Sequence, residues 1–473
     1  MTNRFEDLTA LFGPESRGTT PQERARTSNI RFVRSQLQLA EWSEGATGRI
    51  LTASEALEDH GLDKIREAIQ SGSAVICDSP STAGENLRTR RETLGLQIDD
   101  VARAARLPEA DVAEAERTRR DVPIHRRERI ARALGLDDRW ISNQRAGEAS
   151  DRLAARLRVI GNVPGARMSP AAVLTFAEAA WIGATQVRLE ERLGLRPNLQ
   201  PITPRAVYHS HPAYEQGYTL AQETRRLLGL GEDALPRPLH EICDEVIGIP
   251  VVQAELPKRI AGATVASGTT RTLVINTNGK NSNVWVRRST YAHELCHILW
   301  DQASELHDVH VDEYKDVERD LPDQAPDRIE QRANAFSVEL IAPQAAVLSV
   351  FRAHGGGRSG LRAVMEHFDV SFTPARYQVR NGDQTVPLES LVVDGTEPPV
   401  DAIGRESYTA DYFPIADVPL TRRGRFAAVV VRAMEEGLIS DETAAEFLFC
   451  SRGALRDAGA SMRDLFPTVW VPR

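Results

Sequence analysis

Lysine is almost missing from this 473-residue chain. Of 58 cationic residues, only Lys64, Lys258, Lys280 and Lys315 are not arginine, and with abundant alanine this is the usage of a GC-rich bacterial genome. Cysteine is scarce as well. Cys77, Cys243, Cys296 and Cys450 are scattered without a CxxC pair, so they read as free thiols of a reducing compartment. There is no apolar segment behind Met1 and no run of about 18 apolar residues, so neither a signal peptide nor a membrane span is expected, and a cytoplasmic protein with no membrane partner is. A long basic run is also lacking. With a net charge of -9, composition excludes a general nucleic-acid binder. The glycine-rich turn from Gly355 to Gly360 follows no apolar strand and has no GK[ST], which excludes a phosphate-binding loop.

What the chain does have is a helical pattern from Thr290 to Trp300 that carries His293, Glu294 and His297. Residues four apart on a helix lie on one face about 6 Å apart along the axis. The two imidazoles can therefore aim at one point, with the Glu294 carboxylate beside it. Two neutral nitrogens and a neighbouring carboxylate are what a catalytic Zn²⁺ and its attacking water need. The motif is short enough to arise by chance, so the flanking sequence has to decide. A third protein ligand is required, and a second amphipathic helix from Asp327 to Ala342, ending at Pro343, offers Glu330.

Taken together, Arg288, the run Thr290 to His297, Glu330, Ala333, Asn334 and Phe336, then Leu340 to Pro343, resemble the ImmA/IrrE family of zinc metallopeptidases over about residues 236–381. The resemblance implies a zincin-like α+β domain with a small sheet. It implies Zn²⁺ held by His293, His297 and Glu330, with Glu294 as general base, a gluzincin-like set. It also implies one repressor-like regulatory protein as substrate, cut in a stress, mobile-element or defence response. Two positions depart from the family. Cys296 stands where glycine is usual, and Arg332 stands where an acid is common. A thiol beside a ligand could act as a redox modulator, although Cys296 points about 100° away from His297 around the helix, and the plainer reading is a small core residue.

Length alone predicts two to four domains, and the pattern predicts a multidomain, mainly α protein. Residues 1–84 form a partly helical region of unknown role, with helices expected from Ser28 to Trp42 and from Ser54 to Gln70. Residues 85–145 carry short helices with tight joints and resemble an Xre/Cro helix-turn-helix domain. A helical connector follows at 146–235, the peptidase domain at 236–385, and a linker with a helical tail at 386–473.

In the helix-turn-helix resemblance, the helix expected in the major groove opens with Pro108, Glu109, Asp111 and Glu114, and carboxylates repel phosphate. Arg88, Arg91, Arg103, Arg106 and Arg117 could still grip a DNA backbone. The alternative is an interaction or homodimerisation module. Within the peptidase region, Ile249–Val252 and the segments around Gly268 read as strands, one of which would be the edge that pairs with an extended substrate. Residues 301–326 read as an acidic loop, where His307, His310 or Tyr314 either steadies an oxyanion or is simply solvated. The functional expectation is a zinc-dependent, site-specific endopeptidase. The competing one is a DNA-binding transcriptional regulator whose peptidase-like domain is a sensor.

Overall fold

A computed structural model of the chain describes residues 3–77, 79, 81–117, 122–142, 168–195, 212–301, 309–313, 328–393, 397–406, 409 and 412–471. It is mainly helical, with two four-stranded sheets. The chain divides into two compact units: Met1–Arg196 with Ser267–Thr270 and Phe413–Arg473, and Pro197–Ala266 with Arg271–Tyr412.

The first unit begins with helices α1 (Asn3–Phe12) and α2 (Pro21–Thr27), the latter closed by a capping box between Thr20 and Glu23. The stretch from Ser28 to Trp42 is not the helix its sequence suggests. It forms β1 (Arg31–Arg34) and β2 (Gln38–Glu41), paired antiparallel with Val33 opposite Ala40. Tertiary burial overrides the local pattern here. Phe32 and Leu39 are fully buried beside Leu51 of β3 (Arg49–Thr52) and Ile65 of α3 (Ala53–Ser71), a core that a free helix could not reach. β4 (Ala74–Val75) completes the order β3-β1-β2-β4.

Four short helices follow: α4 (Thr82–Thr93), α5 (Ile98–Ala105), α6 (Glu109–Arg117) and α7 (Ile124–Ala133). The long α8 (Pro170–Leu193) packs against α5 and α7. The connector segment from Ala154 to Ile160 lies outside the described residues. Three C-terminal helices, Arg425–Glu435, Asp441–Leu448 and Arg452–Leu465, belong to this same unit. Their attachment is ionic and specific. Arg129 makes a bidentate pair with Glu446 at 2.6 and 2.7 Å, and Glu55 accepts from the Ser440 backbone N–H at 2.8 Å. At the centre, the fully buried Glu128 carboxylate is met by Arg34, Arg49 and Arg132 at 3.2, 2.8 and 3.3 Å. Removing one side of such a buried pair costs about 3–5 kcal/mol, because the other charge is left without compensation.

The second unit holds the HExxH sequence. Helix α9 (Ala213–Leu228) precedes a helical turn Leu239–Glu241 that continues as a π-helical segment Ile242–Ile247. The sheet has the order β5-β7-β6-β8, from β5 (Val251–Ala254), β6 (Ile260–Ser267), β7 (Thr270–Asn276) and β8 (Val309–Glu313). β5 runs parallel to β7 and β8 antiparallel to β6. Helices α10 (Val284–Trp300), α11 (Arg328–Ile341), α12 (Gln344–Ala353), α13 (Gly357–Phe368) and α14 (Phe372–Gly382) follow, with a short helix at Val400–Arg405. Its core runs from Leu273 and Ile275 in the sheet through Tyr291, Leu295 and Leu299 of α10 to Phe336 and Leu340 of α11.

The stretch expected to be an acidic loop is in part a strand. β8 sits at the edge of the sheet, where a strand needs only one neighbour, and its place in an acidic stretch gives no strand signal in the sequence.

Candidate metal centre

Helix α10 starts cleanly because the Asn283 side chain accepts from the backbone N–H of Trp285 and Val286 at 2.9 and 3.4 Å. Asn281 then ties the helix to the sheet. Its amide donates to the Ala261 carbonyl at 2.9 Å, and its oxygen accepts the Thr290 hydroxyl at 3.1 Å. Ser337 of α11 donates to the Ser289 carbonyl at 2.9 Å, and the Trp300 indole donates to Thr224 of α9 at 3.0 Å. Gly217 lets α9 and α11 approach closely, since a Cβ there would lie 2.8 Å from the Ala335 Cβ.

These ties bring His293, His297 and Glu330 together, with one ligand atom from each within 4.8 Å of the others. The two Nε2 atoms are 3.1 Å apart. Glu330 Oε2 lies 3.2 Å from His293 Nε2, and Glu330 Oε1 lies 3.6 Å from His297 Nε2. Both histidines are buried, and the Glu330 side chain is 17% exposed.

Each ring is held through its other nitrogen. His293 Nδ1 faces the Asn334 amide oxygen at 3.0 Å, and His297 Nδ1 faces Asp301 Oδ2 at 2.7 Å. In the neutral tautomer with the proton on Nδ1, each ring donates to that partner and its Nε2 is a lone-pair acceptor. Two acceptors and a carboxylate then converge on one point, which a shared cation stabilises. The donor set therefore fits a divalent metal with nitrogen and oxygen preferences.

Glu294 is also fully buried. Its Oε2 accepts the Thr264 hydroxyl of β6 at 2.8 Å, and β6 passes so close that a Cβ on Gly262 would lie 2.8 Å from Oε1. Asp301, Asn334, Thr264 and Gly262 were not picked out as site residues from the sequence. Asn334 alone carried a signal, as part of the second helix motif. The outer edge of β6 is not open either, because β8 pairs along it from Ile260 opposite Glu313 to Val265 opposite Val309.

His240, in the turn Leu239–Glu241, is half-buried, and desolvation with Arg287 and Arg288 nearby lowers its pKa to about 4, so it stays neutral. The side chains of His307, His310 and Tyr314, and residues His209 and His211, lie outside the described residues. In the first unit, Arg91 is committed to a bidentate pair with Glu116 at 2.7 and 2.8 Å. Arg88 pairs with Glu92, Arg103 with Asp99, and Arg106 stacks 4.9 Å from the Phe449 ring centre. Arg88, Arg103, Arg106 and Arg117 are exposed. On α6, Asp111 is paired with Arg126 at 3.1 Å.

Residues 244–380 match the family model of the M78 peptidases, the IrrE N-terminal-like domain. The matched stretch contains the second unit's sheet, α10, α11 and all three ligand candidates. Peptidases of this family are metal-dependent, so the match and the geometry together support a metallopeptidase domain. No curated protein matches the chain.

Cys296 lies on α10 with its side chain fully enclosed. Burial first, and then the Asp301 carboxylate, push its thiol well above the ordinary cysteine range. The reactive form is the thiolate, so this thiol is held in the inert form. In native protein at pH 8, Cys296 is expected to resist iodoacetamide and to be alkylated once the chain is unfolded in denaturant. Peptide mapping that found Cys296 alkylated in the folded protein would contradict its burial.

Proposed function

We propose that the chain is a zinc-dependent endopeptidase that cuts a regulatory, repressor-like protein at a defined site. The observation that carries this reading is the convergence of His293 Nε2, His297 Nε2 and the Glu330 carboxylate beside a buried Glu294. Three protein donors of nitrogen, nitrogen and carboxylate type would make a catalytic rather than a structural zinc set. When bound, Zn²⁺ supplies Lewis-acid polarisation and brings the pKa of a coordinated water toward neutrality.

The chain's own residues do the rest. His293 and His297 are presented as neutral ligands because Asn334 and Asp301 take their Nδ1 protons in hydrogen bonds. Glu294 takes the proton of the water that attacks the scissile carbonyl carbon and passes it to the amide nitrogen as the C–N bond breaks. Thr264 holds that carboxylate in one orientation through the transfer. The enclosure of the centre, with both histidines buried, argues for a selected substrate over general digestion. The separate first unit, with its buried arginine network and docked C-terminal helices, supplies surface for recognising that substrate.

A substrate laid as a strand along β6 competes with β8 for the same backbone groups. Replacing Val309–Glu313 by alternating glycine and serine is expected to raise the rate of hydrolysis of unfolded casein above wild type. A variant no faster than wild type would contradict that competition.

The reading itself is tested by metal analysis. Mass spectrometry of reconstituted protein should find about one zinc per chain, lost in His293→Ala and in Glu330→Ala. Glu294→Gln should keep the zinc and lose at least about 100-fold of the hydrolysis rate, the lower range for a general base. No zinc in the wild type, or full activity in Glu294→Gln, would overturn the proposal.

A further inference from the structure

Arg332 stands on α11 two residues after Glu330, at a position where the family resemblance leads one to expect an acid. Its side chain is 7% exposed, and its guanidinium meets Asp301 Oδ1 directly. The other oxygen of the same carboxylate, Oδ2, receives the His297 Nδ1 proton at 2.7 Å. Asp301 is the first residue past the end of α10, with extended backbone (φ -85°, ψ 147°), and its own N–H donates to the His297 carbonyl at 3.1 Å. No further turn of helix restrains its side chain.

We infer that Arg332 is a positioning residue for the metal centre: through Asp301 it fixes the ring of His297. This rests on the metal-site reading given above. A carboxylate at a 5%-exposed position needs an opposite charge, and the neutral imidazole that a metal requires does not supply one. Arg332 does. The planar guanidinium also selects one orientation of the carboxylate, and so one orientation of the imidazole and its Nε2 lone pair. An acid at position 332 would face Asp301 with like charge and drive it off His297. The Arg332 charge also acts on the buried Cys296 thiol, opposing the rise that burial imposes on it.

A purely structural ion pair would stabilise the fold and leave metal affinity alone. The measurement that separates the two is zinc affinity by competition with a chromophoric chelator, run beside the melting temperature of the metal-free protein. Losing an outer partner of a ligand histidine costs about 10- to 100-fold in metal affinity. Arg332→Ala is expected to show that loss, and Asp301→Asn a similar one. The double variant should be no weaker than the weaker single, since both act through one hydrogen bond. Arg332→Lys, which keeps the charge and is the safer variant for folding, should lose less than Arg332→Ala. Arg332→Ala or Arg332→Lys proteins that melt earlier yet bind zinc as wild type does would overturn the inference, and so would losses that multiply in the double variant. Wild-type protein that binds no zinc would overturn the metal-site reading itself, a result distinguishable from all of these.

Discussion

Two histidines one helical turn apart can serve a metal only if both rings are neutral and both present the same nitrogen to one point. A neutral imidazole has a single proton, and that proton must sit on the nitrogen facing away. The second unit meets this constraint from one element. Helix α11 carries Glu330 as the third candidate ligand, Asn334 facing His293 Nδ1, and Arg332 as the partner of Asp301, which faces His297 Nδ1. A shift of α11 along its axis would disturb all three at once.

The packing around α11 shows how such a shift is resisted. Gly217 removes the side chain that would hold α9 away from it, and Ser337 bonds it to the backbone of α10. Near its C-terminal end, the Glu339 carboxylate gathers Gln222 of α9, Gln378 of α14 and the backbone N–H of Gln344, at 2.9, 2.6 and 2.9 Å. On the other side of α10, the missing Cβ of Gly262 allows β6 to press against Glu294. Small residues and buried hydrogen bonds, rather than apolar bulk alone, set the distances at the centre.

The sequence made part of this legible. Helical spacing placed His293, Glu294 and His297 on one helix, and the amphipathic pattern from Asp327 placed Glu330 on the next. Both are properties of consecutive residues, where periodicity is a strong signal. Asp301, Arg332, Thr264 and Gly262 escaped because their roles exist only across elements. No local pattern distinguishes a clamping arginine from a surface one, and here a departure from the family was the only mark on Arg332. The strands at Arg31–Arg34 and Gln38–Glu41 read as helix in the sequence because their mixed polarity satisfies either period until Phe32 and Leu39 find a shared core. β8 reads as loop because its five residues sit in an acidic stretch and only the pairing with β6 makes them a strand.

The most direct test of the account is X-ray absorption at the zinc edge of reconstituted wild-type protein. The expected result is a shell of nitrogen and oxygen scatterers at about 2.0–2.1 Å with the outer-shell signature of two imidazoles, and no sulfur. A sulfur scatterer at about 2.3 Å would place Cys296 in the first shell. A shell without imidazole would remove His293 and His297 from it. Either result would contradict the centre described here.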